Sequence, residues 1–178
     1  MTADEFLAWA EGLEGRWELH NGVPYRMPSE QLDHVDVKYA VYFALVRAVR
    51  SAGLPACHVV GDGAGVRISR DVVYGPDALV YCGPRLPGKV LEVPNPVILA
   101  EVASPSTREF DDTVKRDDYF SLASVHHYLI VDPEGPPVIH YSRQADGKIA
   151  RSVVDAGTLT LSPPGIEVGV AELFAGAA

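Results

Sequence analysis

The sequence predicts an α/β fold, a mixed β-sheet flanked by helices. One long stretch has the periodicity of an amphipathic helix, and most of the chain after residue 56 consists of short segments rich in Val, Ile and Tyr. A helix over about residues 111–122 interrupts these segments between the two most apolar of them, which suggests a parallel crossover. Because 178 residues suit one domain and no break in composition divides them, we expect a single domain over residues 1–178.

The first third of the chain carries helix and turn signals. Thr2 followed by Glu5 matches a capping box at the start of a helix. The stretch RWELHNGVPYRM predicts two short strands joined at Asn21-Gly22, a strong signal for a hairpin turn. Next comes a helix over about residues 32–52. Its apolar face is formed by residues three or four apart: Val35, Tyr39, Tyr42, Val46 and Val49.

Strands follow from residue 56 onward. Their sequences are ACHVV, GVRIS, DALVYC, PVILAEV, HYLIVD, PVIHYS and ARSVV. The last part of the chain, with TLTLS, a PPG turn and VAELF, predicts one or two more strands and a short turn of helix. We expect the long helix to pack over the sheet that these strands form.

Charge and hydropathy restrict the classes of function. With 24 acidic and 15 basic side chains the net charge is −9, which argues against strong non-specific binding to nucleic acid but not against a nuclease with a small basic cleft. The longest apolar runs are about six residues, too short to cross a membrane, and the acidic start MTADEFLAWAEG is not a secretory signal. Cys57 and Cys82 could pair but form no disulfide framework and no CxxC metal site. We interpret them as buried thiols in a reducing cytosol and expect a cytoplasmic protein.

Glu101 lies in an apolar strand. If residues 97–103 are extended, one face of the strand consists of Val97, Leu99, Glu101 and Ala103. An unpaired ionised carboxylate in an apolar interior costs several kcal/mol, so it is normally paired, protonated or bound to a metal. Glu101 is therefore either a metal ligand or a buried acid satisfied by a lysine or arginine.

Two further residues favour the metal. Asp77 begins another apolar strand, and two carboxylates on neighbouring strands are the ligands that Mg²⁺ prefers. Lys115 lies 14 residues after Glu101 on the following helix, where it shares a face with Asp111. Near a metal, Lys115 would orient or activate a water, or stabilise charge that builds up on a phosphorane-like transition state. Away from a metal, the same lysine is a solvated surface charge.

At this point the motifs resemble a known family. GPDALVY, ILAEVASPSTREFD, VKRDDYF and VHHYLIVDPE are similar, in this order, to the Uma-two family, a group assigned as endonucleases within the PD-(D/E)XK nuclease superfamily. RWELHNG matches the first-strand motif of that family, and His34 falls where the family usually has a histidine opening the long helix. The resemblance covers about residues 3–172.

The resemblance implies a restriction-endonuclease-like fold with a metal site for Mg²⁺ or Mn²⁺. The ligands would be Asp77, Glu101 and the backbone carbonyl of Val102. The superfamily pattern has a lysine two residues after the acid, but Ala103 stands there in this sequence, and Lys115 is the residue that matches the lysine of the Uma-two family. The resemblance also implies DNA as the partner and a homodimer, since superfamily members that cut both strands commonly act as dimers.

Other side chains have weaker signals. Glu18, on the polar face of a half-buried strand, is an outer candidate for the metal or its water shell. His34 would line the cleft in an auxiliary role. Tyr119, one turn beyond Lys115, is expected in the core rather than in catalysis.

Three functions compete at this stage. The first is a Mg²⁺- or Mn²⁺-dependent phosphodiesterase acting on DNA, with Asp77 and Glu101 on the metal and Lys115, Glu18 and His34 around it. The second is a binding or scaffold protein with a vestigial site, which the net charge and Ala103 favour. The third is hydrolysis of a small phosphorylated molecule, which needs no basic groove.

Overall fold

The structure is a computed structural model that describes residues 1–104 and 107–175. Pro105 and Ser106, which belong to the motif that carries the family resemblance, lie outside the described residues. The helical elements are α1 (Ala3–Ala10), α2 (Leu32–Ser51), α3 (Arg108–Phe110), a π-helical turn (Asp111–Lys115), α4 (Arg116–Ser121) and a 3₁₀ turn (Val170–Leu173). The strands are β1 (Trp17–His20), β2 (Val23–Arg26), β3 (Cys57–Gly61), β4 (Val66–Ser69), β5 (Val72–Tyr74), β6 (Ala78–Cys82), β7 (Pro96–Val102), β8 (His127–Val131), β9 (Val138–Arg143), β10 (Ile149–Val154), β11 (Thr158–Leu161) and β12 (Ile166–Gly169).

The strands form two larger sheets and a hairpin. The six-stranded sheet has the order β10-β9-β8-β7-β6-β3, and it is mixed because β7 and β8 are parallel. The helical segment between these two strands makes the predicted crossover. The four-stranded sheet, β2-β1-β5-β4, is antiparallel and includes β5, a strand that was not predicted. The predicted mixed α/β fold is confirmed, with its strands divided among several sheets.

Each face of the six-stranded sheet has its own core. One face packs against α2, the β11–β12 hairpin and the 3₁₀ turn, and the other packs against β4, β5 and α4. Leu99 and Ala103 belong to the second core and Ile98 to the first, so the predicted alternation along β7 is right for most of the strand. Val97 departs from it and packs on the first core, because the pairing of β6 with β7 shifts beside it.

Helix α2 has the predicted length, but its predicted apolar face is wrong except at Val49, which is buried as expected. The buried stripe contains Val37, Val41, Ala44, Leu45 and Ala48, whereas Tyr39 is 60% exposed. Both stripes have helical periodicity, and the stripe of smaller aliphatic residues lets the helix approach the sheet closely while the tyrosine hydroxyl reaches water. In the part of the chain that the structure describes, no helix is both long and apolar enough to span a bilayer.

The interpretation of the cysteines as free, buried thiols is also wrong. Cys57 of β3 lies directly opposite Cys82 of β6, and a disulfide joins the two residues. Cys82 is exposed at the end of its strand. The sequence shows two thiols 25 residues apart, but only the register of β3 against β6 makes them neighbours.

Candidate active site

The antiparallel pairing of β6 and β7 brings Asp77 and Glu101 to one edge of the six-stranded sheet. Ala78, the first residue of β6, lies opposite Ala100 of β7, so the two acids flank this pair. The backbone N–H of Val102 donates a 2.7 Å hydrogen bond to Asp77 Oδ2 and ties the strand ends together. Asp77, Glu101 and Val102 line one cleft of about 370 Å³.

Lys115 enters the same cleft from the π-helical turn. Its Nζ lies 3.0 Å from Glu101 Oε1, 3.0 Å from Glu18 Oε1 and 3.7 Å from Asp111 Oδ1. All four side chains are buried, and we refer to them as the Lys115 cluster. Turns of π-helix within α-helices occur frequently at functional sites, and here the turn ends at the lysine that faces the cleft.

Two more donors hold the Lys115 cluster in place. The Tyr119 hydroxyl donates a 2.8 Å hydrogen bond to Glu101 Oε1. The backbone N–H of Gly75 donates one of 2.9 Å to Glu18 Oε1. Tyr119 belongs to the core as predicted, but the sequence did not indicate its contact with Glu101. Glu18 lies deeper than predicted, at 6% exposure, because its carboxylate turns toward Lys115 and Gly75.

Burial and charge set the protonation of this cluster. Burial raises the pKa of Glu101 to about 8, although the nearby Lys115 ammonium opposes the shift. Burial would lower the pKa of Lys115, but Glu101, Glu18 and Asp111 outweigh it and raise that pKa well above its ordinary value. Lys115 therefore stays charged at neutral pH, while Glu101 is readily protonated when no further cation is close.

A second buried ammonium, that of Lys38, lies beside Asp77 on the other side of the cleft. Lys38 of α2 places its Nζ 2.8 Å from Asp77 Oδ1, 2.7 Å from Asp62 Oδ2 and 2.9 Å from Glu30 Oε1. Arg16 pairs with the same three carboxylates, and its Nε lies 2.8 Å from Asp62 Oδ1. We refer to these five side chains as the Lys38 cluster. Burial would lower the pKa of Lys38, but Asp77 and its other partners raise it.

The charges of the two clusters fit a divalent cation. Three carboxylates face two cations in the Lys38 cluster, and three carboxylates face a single ammonium in the Lys115 cluster. Buried excess negative charge is relieved by protonation or by a bound metal. Among the described residues, ligand atoms of Glu30, His34 and Asp77 lie within 4.8 Å of one another, which is close enough to share an ion. Carboxylate oxygens are the donors that suit Mg²⁺ and Mn²⁺.

The structure brings the predicted site residues together. The cleft is lined by Asp77, Glu101, Val102, Lys115 and His34. Glu18 meets them through Lys115 rather than by lining the cleft. The roles of these residues in metal binding and catalysis remain predictions, as does the role of the Val102 carbonyl.

Four members of the Lys38 cluster were missed, namely Arg16, Glu30, Lys38 and Asp62. Lys38 gave the best available signal, because it follows Val37 and precedes Val41 in the stripe that is in fact buried. Once that stripe is assigned to the core, a lysine within it requires carboxylate partners. Glu30 and Asp62 lie outside regular elements and give no periodic signal.

Comparison with known proteins identifies the family of this chain. A family model described as "Uma2: Putative restriction endonuclease" matches residues 3–174. The chain belongs to the Uma2 family. It is also 24% identical over 150 residues to "Uncharacterized protein slr1290" of Synechocystis sp. (strain ATCC 27184 / PCC 6803 / Kazusa), covering 83% of this chain and 76% of that protein.

A solved structure shares the fold of this Uma2 protein. It is the "Crystal structure of a putative nuclease belonging to DUF820 from Anabaena variabilis ATCC 29413", with a TM-score of 0.72. The match covers 100% of this chain and 99% of the other at 16% identity, and at that identity it establishes the fold alone. The match to the Uma2 family thus concerns the sequence, and the match to the solved structure concerns the fold.

Proposed function

We propose that this Uma2 protein hydrolyses phosphodiester bonds of DNA with Mg²⁺ or Mn²⁺ held by Asp77 and Glu101. The Lys115 cluster carries the proposal, because three buried carboxylates face one buried ammonium beside an open cleft. The family description, which names restriction endonucleases, supports the choice of DNA as substrate.

The ligands come from both sides of the cleft. Asp77 and Glu101 would hold the ion together with the backbone carbonyl of Val102, since all three line the cleft. Glu30 and His34 would supply further donors on the side of Asp77, because their ligand atoms lie within 4.8 Å of its carboxylate. A bound divalent ion would polarise the scissile phosphate and lower the pKa of a coordinated water. Since Lys38 and Arg16 hold Asp77 by its Oδ1, this carboxylate is oriented before any ligand binds.

Lys115 supplies positive charge rather than a base. Its raised pKa keeps the ammonium protonated at neutral pH, so it cannot accept a proton from water. It can donate hydrogen bonds to a phosphate oxygen and offset the negative charge that develops there. Glu18 is a positioning residue, because it contacts the ammonium and lies behind the cleft.

The test combines metal titration with DNA cleavage. Mn²⁺ and Mg²⁺ would be titrated by calorimetry into the wild type, Glu101→Gln and Glu167→Gln, and the same proteins would be incubated with single- and double-stranded DNA. Glu167 is an exposed glutamate of β12, so its variant is the matched control. We expect Glu101→Gln to weaken metal binding about tenfold or more and to reduce cleavage on the order of a hundredfold, with Glu167→Gln unchanged.

The other outcomes favour the competing functions. A wild type that binds no metal at millimolar concentration would make Glu101 a structural acid and support the scaffold function, which the net charge of −9 favours. Metal binding without cleavage of DNA would support hydrolysis of a small phosphorylated molecule.

A further inference from the structure

The outward face of α2 carries aromatic side chains that are largely exposed to solvent. Tyr39 is 60% exposed and Phe43, one turn later, is 52% exposed. Tyr42 lies beside them, half-buried, with its ring against the backbone of Gly61. Neighbouring exposed aromatic groups offer an apolar surface on which a ligand or partner can pack.

A groove extends from these aromatic residues toward the carboxyl end of α2. Its floor is β3, the outer strand of the six-stranded sheet, and its walls include Tyr42 and Arg50 on one side and Arg85 on the other. His58 also lines it. Although the chain has 24 acidic residues, none of the described ones lines this groove.

The groove also holds positive charges that have no acidic partner. All fifteen lysines and arginines are among the described residues, and eight of them form ion pairs. Arg50 and Arg85 form none, and both are exposed. Lys89, which lies between two lining residues, is likewise exposed and unpaired. In an acidic protein, this groove is therefore a local site for anions.

The groove is continuous with the metal-binding cleft. Tyr42 lines both the groove and a smaller pocket in which Lys38 is paired with Glu30, Asp62 and Asp77. Asp77 lines both that pocket and the cleft. The path follows α2 from His34 to Arg50, a distance of about 24 Å at 1.5 Å per residue.

We propose that this path binds a segment of single-stranded DNA, with bases stacked on Tyr39 and Tyr42 and phosphates at Arg50 and Arg85. Grooves for single strands combine aromatic platforms with positive charge and accept as few as about four nucleotides. Duplex binding depends on about six or more phosphate contacts, more than three unpaired cations supply. The inference rests on the proposed function in one respect, because the bound DNA strand would lead into the cleft where the proposed hydrolysis takes place.

Fluorescence anisotropy of a fluorescein-labelled oligo-dT of about 12 nucleotides tests the path. The titrations contain EDTA, so that neither metal binding nor cleavage is needed, and are run at about 50 and 200 mM NaCl. Arg50→Ser/Arg85→Ser is compared with Arg26→Ser/Arg70→Ser, a control that removes two exposed arginines outside the groove and outside any ion pair. We expect the groove variant to lose at least about tenfold in affinity. The slope of log K against log salt concentration should become about 1.4 less steep, because each of two lost phosphate contacts contributes about 0.7 for a single strand.

The aromatic residues need a separate comparison. Tyr39→Ala should weaken binding about five- to a hundredfold, while Tyr25→Ala, which removes an equally exposed tyrosine of β2, should leave it unchanged. Thermal melting of each variant establishes that it is folded.

Two results would overturn the path. One is equal binding by the wild type and both groove variants. The other is sedimentation of the wild type as a dimer that Phe43→Glu dissociates, because a second copy of the chain would then cover α2. Failure of the proposed function looks different: DNA binding that needs Arg50, Arg85 and Tyr39 but is never followed by cleavage would leave the path intact.

Discussion

The carboxyl group of Glu101 combines burial with an adjacent ammonium, and its protonation is therefore linked to the metal binding that we propose. Burial raises the pKa of Glu101 to about 8, so at neutral pH a proton competes with a metal for this carboxylate. A metal ligand must be deprotonated, so metal binding at that pH has to release this proton.

We expect the wild type to release close to one proton per bound Mn²⁺ at about pH 7 and Glu101→Gln to release none. Calorimetric titrations in two buffers with different ionisation enthalpies measure the number of protons. Metal binding by the wild type without proton release would contradict the position of Glu101 in the first coordination sphere.

Tyr119 favours the ionised form of Glu101 through its hydrogen bond to Oε1. Removing this donor in Tyr119→Phe should raise the Glu101 pKa further, by on the order of one unit, because a hydrogen bond to a charged group contributes about 1.5–3 kcal/mol. The pH at which Mn²⁺ binding reaches half its maximum should move upward by the same amount.

Tyr128→Phe is the matched control for Tyr119→Phe. The Tyr128 hydroxyl donates to the backbone carbonyl of Asp111 and does not contact Glu101. Equal pH dependence of metal binding in both variants would show that the Tyr119 hydroxyl does not tune Glu101.

At the scale of single residues, the sequence predicted the acidic residues of the site better than the cationic residues that pair with them. Asp77 and Glu101 are recognisable because Asp77 directly precedes an apolar strand and Glu101 lies within one, where a carboxylate requires a reason. Lys38 and Arg16 are not, since long cationic side chains are normally solvated. The burial of Lys38 depends on which face of α2 meets the sheet, and periodicity alone does not determine that face.

Among the elements, α2 allows a direct comparison of a buried with an exposed ion pair. Lys38 is 6% exposed among three carboxylates, whereas Arg47, nine residues later on the helix, pairs with Glu172 at the surface. Breaking a buried pair leaves uncompensated charge and costs about 3–5 kcal/mol, while an exposed pair contributes about 0–1 kcal/mol.

Lys38→Met should therefore lower the free energy of unfolding by about 3 kcal/mol, and Arg47→Met by less than about 1 kcal/mol. Urea denaturation measures both. Saturating Mn²⁺ should restore more stability to Lys38→Met than it adds to the wild type, because the cation relieves the repulsion among Glu30, Asp62 and Asp77. Equal losses in the two variants would argue against the Lys38 cluster as a buried network.

Element boundaries were predicted best where the chain has strong local signals. Asn21 and Gly22 both have positive φ, which the predicted hairpin turn requires, and Thr2 and Glu5 form the predicted capping box. No sequence pattern predicted the π-helical turn before Arg116, because one extra residue in a turn leaves the composition of the helix unchanged. The disulfide and the division into two larger sheets depend on pairing between distant strands, which no local pattern encodes.

At the scale of the whole molecule, a buried histidine pair makes stability sensitive to acid. His127 Nδ1 and His140 Nε2 lie 2.9 Å apart, with His127 4% exposed. Burial, and then the charge of His140, lower the pKa of His127 to about 4. The unfolded state therefore binds a proton at higher pH than the folded state does, so this group lowers stability as the pH falls from about 6.5 to 4.

Between about pH 6.5 and 5 this linkage should cost the wild type on the order of 2 kcal/mol relative to His127→Gln. The raised pKa of Glu101 acts in the opposite direction, since the folded state then binds the extra proton. Comparing the two proteins at each pH cancels that contribution. Parallel urea stability curves for wild type and variant across this pH range would contradict the assignment.

The packing on α2 has a consequence for the order in which the elements dock while the chain is being synthesised. The core beneath this helix includes Leu161, Ile166 and Leu173. The residues that pack against α2 are therefore synthesised more than a hundred residues after the helix itself. Nascent chains stalled on the ribosome before Thr158 has emerged should stay open to trypsin at Arg47, and chains that have emerged past Leu173 should be protected. Early protection would show that α2 docks without the hairpin. With late docking, a growing chain would pass most of its synthesis without an assembled cleft, and any cutting of DNA would begin only when translation is nearly complete.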